Sequence, residues 1–101
     1  MVVYESFDEL ETSVRKRLYR LHDLADGMRS VRAVETSPDG AVTVAVDGDG
    51  ALVNLEFAQS VSSLTPEEFE RRLVDTAAAA VRRAFTDRAA LITAFNEEAG
   101  G

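Results

Sequence analysis

The sequence contains no cysteine and no tryptophan, and only one histidine and two prolines among its 101 residues. The lack of cysteine excludes disulfide bonds and thiol nucleophiles, and it fits a reducing compartment. No apolar run approaches the roughly 20 residues that span a bilayer, and the amino terminus carries acids where a signal peptide has lysines. We therefore expect one soluble, cytoplasmic domain over residues 1–101, with no membrane partner.

Positive charge is also scarce, because 18 acidic residues outnumber 11 basic ones and the net charge is −7. A balance of this sign argues against nucleic acid binding over the whole surface. The basic residues are nevertheless concentrated, since the segment 15–32 holds six of them against two acids. Acids near the start of a helix suit its macrodipole, but the macrodipole does not explain a basic run in mid-helix.

Two segments, 6–29 and 66–97, carry apolar residues at steps of three or four, which predicts amphipathic helices. Ser6 and Thr65 are each followed three positions later by glutamate, which is the pattern of a capping box. The helices would be roughly 36 and 48 Å long, against roughly 20 Å for a six-residue strand. A compact domain of this length has a radius of gyration of only about 13 Å. We therefore expect a second copy of the chain to cover the overhanging apolar stripes.

Three short segments between the helices, 31–37, 41–46 and 51–57, read as strands. They are separated by Pro38-Asp39-Gly40 and by Asp47-Gly48-Asp49-Gly50, which are both turn sequences. Short turns join antiparallel neighbours. The predicted fold class is therefore α+β, with a helix, a three-stranded antiparallel meander and a long helix in the order α-β-β-β-α.

The alternation within the strands assigns their side chains to faces. In the second strand one face carries Val42, Val44 and Val46. In the third strand one face carries Val53, Leu55 and Phe57, and the other carries Leu52, Asn54 and Glu56. Because half of the alternating positions are polar, we expect one face to be covered and the other to be wet or paired with a partner. The residues expected at a dimer or partner interface are Val42, Val44, Leu55, Phe57, Leu91, Ile92 and Phe95.

Residues able to perform catalysis or to hold a metal are sparse. His22 lies on the first helix, where a partly exposed structural role is the simplest interpretation. The 47–50 segment alternates carboxylates and glycines like a calcium loop, but its following glutamate falls within a strand, which favours a hairpin turn. The serines at 60, 62 and 63 have no base beside them. We therefore predict no enzymatic activity, no metal and no cofactor.

The remaining candidates are charged surfaces on the two helices. Their basic residues have two interpretations, either solubilising charges around amphipathic helices or groups that contact phosphates. Pairing of two copies would double such a patch, so that an acidic dimer could still bind a duplex locally. The candidate DNA-binding residues are Arg15, Lys16, Arg17 and Arg20 on the first helix and Arg82, Arg83 and Arg88 on the last.

The order of elements and three stretches of sequence carry a resemblance to a known family. The stretches are SPDGAVTVAVDGDG at 37–50, LTPEEF at 64–69 and the alanine-rich LVDTAAAAVRRA at 73–84. Together they resemble the YbaB/EbfC family of small bacterial nucleoid-associated proteins. The resemblance covers a core of roughly residues 6–88, and residues 89–99 form a helical extension beyond it.

The resemblance implies a homodimer whose sheets join at the centre while helical arms protrude from it. It also implies binding of duplex DNA in the nucleoid, with little sequence preference, through the basic residues named above. Acidic relatives with this layout also look like components associated with type VII secretion. That likeness implies an alternative, a protein-interaction adaptor that uses the helical arms without binding DNA.

Overall fold

The computed structural model describes the backbone of residues 6–100 and the side chains of residues 6–97. Residues 1–5 and 101, which the predicted domain includes, lie outside this range. A short 3-10 helix, Gln59–Ser63, occupies the segment before the last helix. The elements are α1 (Phe7–Arg29), β1 (Arg32–Thr36), β2 (Val42–Asp47), β3 (Leu52–Phe57) and α2 (Pro66–Gly100).

The three strands form one antiparallel sheet in the order β1-β2-β3. This arrangement, with a helix before it and a long helix after it, confirms the predicted α-β-β-β-α fold. The backbone turns sharply between the strands, and Gly40 and Gly50 have φ angles of 76° and 80°. These values lie in the left-handed region that glycine adopts without steric cost.

Side-chain caps begin both helices at the predicted positions. The Ser6 hydroxyl accepts a hydrogen bond from the Glu9 amide at 3.1 Å, and the Thr65 hydroxyl accepts one from the Glu68 amide, also at 3.1 Å. Each bond satisfies one of the amides that a helix start leaves without an intrahelical partner.

The core lies between one face of the sheet and the middle of α2. Val42 and Val44 in β2 are fully buried there, as are Ala80 and Ala84 in α2. Alanine side chains are small, so the helix backbone approaches the strands closely. Val42 and Val44 therefore contact α2 of their own protomer, and the expectation that they contact a partner is wrong.

A bulge changes the faces of β3. Val44 pairs with Leu55, but the register then shifts, and Val46 pairs with Leu52. Directly paired residues share a face, so Leu52 lies on the same face as Val46. Strict alternation had predicted that Leu52 lies on the opposite face, together with Asn54. Val53 is the extra residue of the bulge.

The molecule is long and thin, with extents of 71 × 18 × 15 Å and a radius of gyration of 20.7 Å. A compact chain of this length has a value of about 13 Å. The sheet and residues 66–88 of α2 form what we call the body. We call α1 and residues 89–100 of α2 the arm. The arm projects from one end of the body.

Within the arm, the last turns of α1 pack against α2. A Cβ atom built on Gly27 would lie 3.6 Å from Leu91 Cδ1, so the two helices approach closely at this point. Met28, which follows Gly27 in α1, and Arg88, which precedes Leu91 in α2, line the same cavity. Moving forward along α1 therefore corresponds to moving backward along α2, so the two helices run antiparallel. With a rise of 1.5 Å per residue, α2 ends level with about residue 18 of α1. The first three turns of α1 therefore extend beyond α2, and α1 contains no buried residue within its described length.

Candidate nucleic-acid interface

The arm carries the first group of basic side chains. Arg15, Lys16 and Arg17 are exposed, and Arg20 is half-buried. Arg15 Nη2 lies 2.7 Å from Glu11 Oε1, one helical turn away, and both side chains are about half exposed or more. Such exposed pairs contribute little stability, because water and salt screen them. The Arg15 guanidinium therefore remains available to a phosphate.

Arg20 is held differently from its neighbours. Its Nε atom is buried and has no hydrogen-bond partner in the described part of the chain. A buried donor without an acceptor costs about 1–3 kcal/mol.

The second group, Arg82 and Arg83, lies on the body. Arg82 is exposed. Arg83 Nη1 donates to the Val34 carbonyl at 3.3 Å and lies 3.4 Å from Glu35 Oε1. Arg83 thus covers part of the free edge of β1, and its charge is partly engaged with Glu35.

The third group lies at the junction of arm and body, around a cavity of about 320 Å³. The cavity is lined by Arg29 from α1, Arg32 from β1 and Arg88 from α2. Arg29 pairs with Asp26, and Arg32 donates to the Val31 carbonyl at 2.7 Å. The cavity thus combines three guanidinium groups at the carboxyl end of α1, where cations suit the helix dipole.

Three carboxylates lie close to these guanidinium groups, those of Asp47 and Asp49 in the cavity lining and that of Asp26 beside Arg29. Asp47 Oδ1 accepts hydrogen bonds from the amides of Asp49 and Ala51 at 2.9 and 3.0 Å, so it is committed to the β2–β3 turn. The side chain of Asp49 is 84% exposed and lies 3.4 Å from Arg88 Nη1. Solvent screens a pair of this kind. The three carboxylates equal the three guanidinium groups in number, so the junction exposes arginine side chains without an excess of positive charge.

The sequence did not single out Arg29 and Arg32 as candidates. Both belong to the basic segment 15–32, so their charge was visible as a signal. Their proximity to Arg88 was not visible in the sequence, because it results from the way α1, α2 and the β2–β3 turn meet in the fold.

The three groups are spread along the long axis of the molecule. With Gly27 level with Leu91 and a rise of 1.5 Å per residue, Arg15 and Arg88 are separated by roughly 22 Å along the helix axes. Arg83 lies farther along α2, at roughly 30 Å from Arg15. One turn of duplex DNA is about 34 Å long. The basic side chains therefore extend over a length close to one duplex turn.

Arg72, by contrast, is occupied with a structural contact. Asp39 in the β1–β2 turn accepts hydrogen bonds from the Ser37 hydroxyl at 2.7 Å, Arg72 Nε at 2.8 Å and the Ala41 amide at 3.1 Å. These bonds hold the pKa of Asp39 well below its usual range, and the carboxylate raises the pKa of Arg72 in return. The pair fastens the turn to α2.

The predicted interface residues other than Val42 and Val44 retain exposed surface. Leu55, Leu91 and Phe95 are half-buried, and Ile92 is exposed. Phe57 is 48% exposed, although its ring packs against that of Phe69 in a tilted pair, with 5.4 Å between the ring centroids. Their role in a contact remains a prediction.

No cluster suited to a metal ion occurs in the part of the chain that the structure describes. The Asp47–Gly50 segment is a hairpin turn, with the Gly50 amide donating to the Asp47 carbonyl at 3.0 Å. His22 lies exposed on α1. Among residues 6–100, no helix is long and apolar enough to cross a membrane.

Comparison with known proteins agrees with this geometry. The sequence profile of the YbaB/EbfC DNA-binding family matches residues 6–98, nearly the whole chain. The crystal structure of the uncharacterized protein HP0035 from Helicobacter pylori superposes with a TM-score of 0.64 and 21% identity, covering 93% of this chain and 98% of that one. At this identity the likeness establishes the fold alone. No curated protein matches the chain.

Proposed function

The chain belongs to the YbaB/EbfC DNA-binding family, and we propose that it binds duplex DNA in the nucleoid as a homodimer with low sequence specificity. The observation that carries this proposal is the row of basic side chains that runs along the arm and onto the body, over a length close to one turn of DNA. The residues assigned to phosphate contact are Arg15, Lys16, Arg17, Arg20, Arg29, Arg32, Arg82, Arg83 and Arg88.

Low specificity follows from the chemistry of these side chains. Lysine and arginine bind phosphates through charge, and phosphates look alike at every base pair. The basic residues of α1 surround the helix and do not line one face, so the arm does not present the single reading surface that a recognition helix uses. Binding of this kind is local, and it is compatible with the net charge of −7 because three of the five acids of α1, Asp8, Glu9 and Glu11, lie toward its tip.

The homodimer is supported by the free edge of β3. Leu52, Val53 and Phe57 on this strand are 58%, 47% and 48% exposed. An exposed apolar edge strand is a template for pairing with another chain, whereas Arg83 partly covers the opposite edge, that of β1. Pairing of two β3 strands would join the two sheets and leave both arms projecting. A stable monomer in light scattering would contradict this part of the proposal.

The DNA proposal is tested with the triple variant Arg15→Gln, Lys16→Gln and Arg17→Gln. Each lost phosphate contact reduces the slope of log K against log salt by about 0.9, so three lost contacts reduce it by about 2.7 per protomer. We expect weaker binding to every duplex sequence, with the largest loss at low salt. Fluorescence anisotropy of a labelled duplex over a salt series measures both quantities.

Arg71→Gln is the matched control, because Arg71 is an exposed arginine on α2 that lies outside the three basic groups. It should leave the salt slope unchanged. Equal losses in the triple variant and in this control would contradict the assignment of the arm. Failure of the wild-type protein to bind at low salt would contradict DNA binding itself.

The exposed apolar surface of the arm, including Ile92, favours the alternative of a protein-interaction adaptor. On that alternative the arm binds another protein, such as one associated with type VII secretion, and DNA does not compete for it. The salt series separates the two, since an adaptor shows no salt-dependent binding to a duplex.

A further inference from the structure

The first five turns of α1 carry an apolar stripe that nothing in the described chain covers. Its members are Phe7, Leu10, Val14, Leu18 and Leu21, with exposures of 77%, 40%, 46%, 50% and 49%. Nearer the body the same stripe continues to Ala25 and Met28, which are half-buried, so only its first five turns are left exposed. The contact with α2 also includes Gly27, which lies close to Leu91, and the half-buried Leu24. The stripe is therefore left over after the arm has formed.

The spacing of the stripe is symmetric about Val14. Leu10 and Leu18 lie four residues to either side of it, and Phe7 and Leu21 lie seven residues to either side. A stripe of this kind reads the same in both directions. If two copies of α1 pair antiparallel about a twofold axis at Val14, each apolar residue meets an apolar residue. Leu10 then faces Leu18 of the second copy, and Phe7 faces Leu21.

The charges beside the stripe favour the same orientation. Asp8 and Glu11 precede Val14, whereas Arg15 and Arg20 follow it. Glu11 and Arg15 lie one turn apart on the same side of the stripe. The twofold axis therefore places Glu11 of one copy next to Arg15 of the other. A parallel pair would instead place the Glu11 and Arg15 side chains of the two copies on opposite sides of the seam, without this attraction, and it would align the helix dipoles.

From this symmetry we propose that residues 7–21 of α1 bind the same segment of a second copy of the chain, antiparallel, with Val14 on the twofold axis. This contact is separate from the β3 edge, because it lies on the distal part of the arm. Two different twofold contacts on one protomer generate a chain of dimers. Such a chain would hold neighbouring dimers together along a bound duplex. A helix pair of this length is weak by itself, so the contact depends on local concentration.

The chain has no cysteine, so a single substitution provides a unique reporter. In Val14→Cys the two thiols face each other across the axis, within the separation of about 7 Å between Cα atoms that a disulfide tolerates. Lys16→Cys is the control, because Lys16 is exposed but lies on the opposite side of the helix. Under oxidised glutathione and without DNA, we expect about tenfold or more disulfide-linked dimer from Val14→Cys, since proximity raises the effective thiol concentration. Equal yields on a non-reducing gel would overturn the proposal.

A mixture of two variants establishes the direction of pairing. Leu10→Cys and Leu18→Cys should form a mixed disulfide with each other, but neither should form one with itself. In the antiparallel pair, two cysteines at position 10 lie about 12 Å apart along the axis. Disulfides of Leu10→Cys with itself would show parallel pairing and would overturn the proposal.

A further control separates this contact from the proposed dimer. Phe57→Asp places a charge on the exposed edge of β3 and should leave the disulfide yield of Val14→Cys unchanged. Loss of the disulfide in this background would show that the α1 contact is only a consequence of the β3 contact, and would overturn the proposal. Circular dichroism confirms that each variant retains its helices.

Discussion

In the body, α2 lies against the sheet with Ala80 and Ala84 fully buried, whereas in the arm no residue of α1 is buried within its described length. The two regions share α2, which passes from one to the other without interruption. The difference therefore does not come from helix formation but from what the helices pack against. The body has a sheet to cover, and the arm has only one other helix over part of its length.

The charges differ between the two regions in the same way. In the body Arg72 pairs with Asp39, and Arg83 donates to the Val34 carbonyl. In the arm the side chains of Lys16 and Arg17 make no hydrogen bond or ion pair with any residue from 6 to 97. Arg72 and Arg83 of the body are thus engaged by contacts within the fold, whereas the side chains of Lys16 and Arg17 in the arm are not. Separate regions for stability and for binding allow mutations to test each of them alone.

The largest expected difference comes from truncating one side chain in each region. Val44→Ala removes fully buried apolar surface and should lower the free energy of unfolding by about 2–3 kcal/mol. Tyr19→Ala alters a side chain of the arm that is 66% exposed, and the change should stay within about 0.5 kcal/mol. Urea unfolding followed by circular dichroism, at one protein concentration, measures both. Similar losses would show that the arm is as tightly packed as the body.

An intermediate effect is expected at the junction, where two glycines contact different neighbours. A Cβ atom on Gly48 would lie 2.8 Å from the Met28 carbonyl oxygen, a backbone atom that cannot move alone. Gly48→Ala should therefore cost about 1–3 kcal/mol. Gly27→Ala meets only Leu91 at an ordinary 3.6 Å and should stabilise α1 by up to about 1 kcal/mol. Thermal unfolding should show a lower unfolding temperature for Gly48→Ala and a higher one for Gly27→Ala. A lower unfolding temperature in both variants would contradict this packing at the junction.

The smallest effect concerns the pH dependence of the body. The folded-state pKa of Asp39 lies below its ordinary value of 3.8. Its bonds therefore stabilise the protein above that pH, and the contribution is lost as the pH falls below it. Asp39→Asn should lower the unfolding temperature at neutral pH, and its deficit relative to wild type should shrink in acid. If the unfolding temperature of Asp39→Asn stays equally far below that of wild type in acid, the loss of stability comes from altered packing and not from the carboxylate charge.

Much of the architecture could be predicted because it depends on near neighbours in the chain. Ser6 and Thr65 cap helices three residues away, and Gly40 adopts the left-handed backbone of the turn in which it lies. Where the prediction was wrong, a distant element was the cause. Val42 and Val44 were correctly placed on one face, but their alternation does not say whether α2 or a partner covers that face.

The candidate site shows the same division. The basic residues of the first helix were visible in the sequence as a run of charge, and the structure leaves most of them exposed. The junction cavity was not visible, because Arg32 and Arg88 are far apart in the chain and only the fold brings them together. The bulge at Val53 was also missed, since an extra residue in a strand is recognised only against the register of its neighbour.

The sequence by itself determined the helices, the strands, the turns and the symmetric stripe on α1, because periodicity and capping act over a few residues. The tertiary structure decided which face of the sheet is buried, which arginines meet at the junction and how much of α1 remains uncovered. Those outcomes depend on the register and crossing of elements tens of residues apart. Such contacts form only when the whole chain has found the arrangement that buries the most apolar surface.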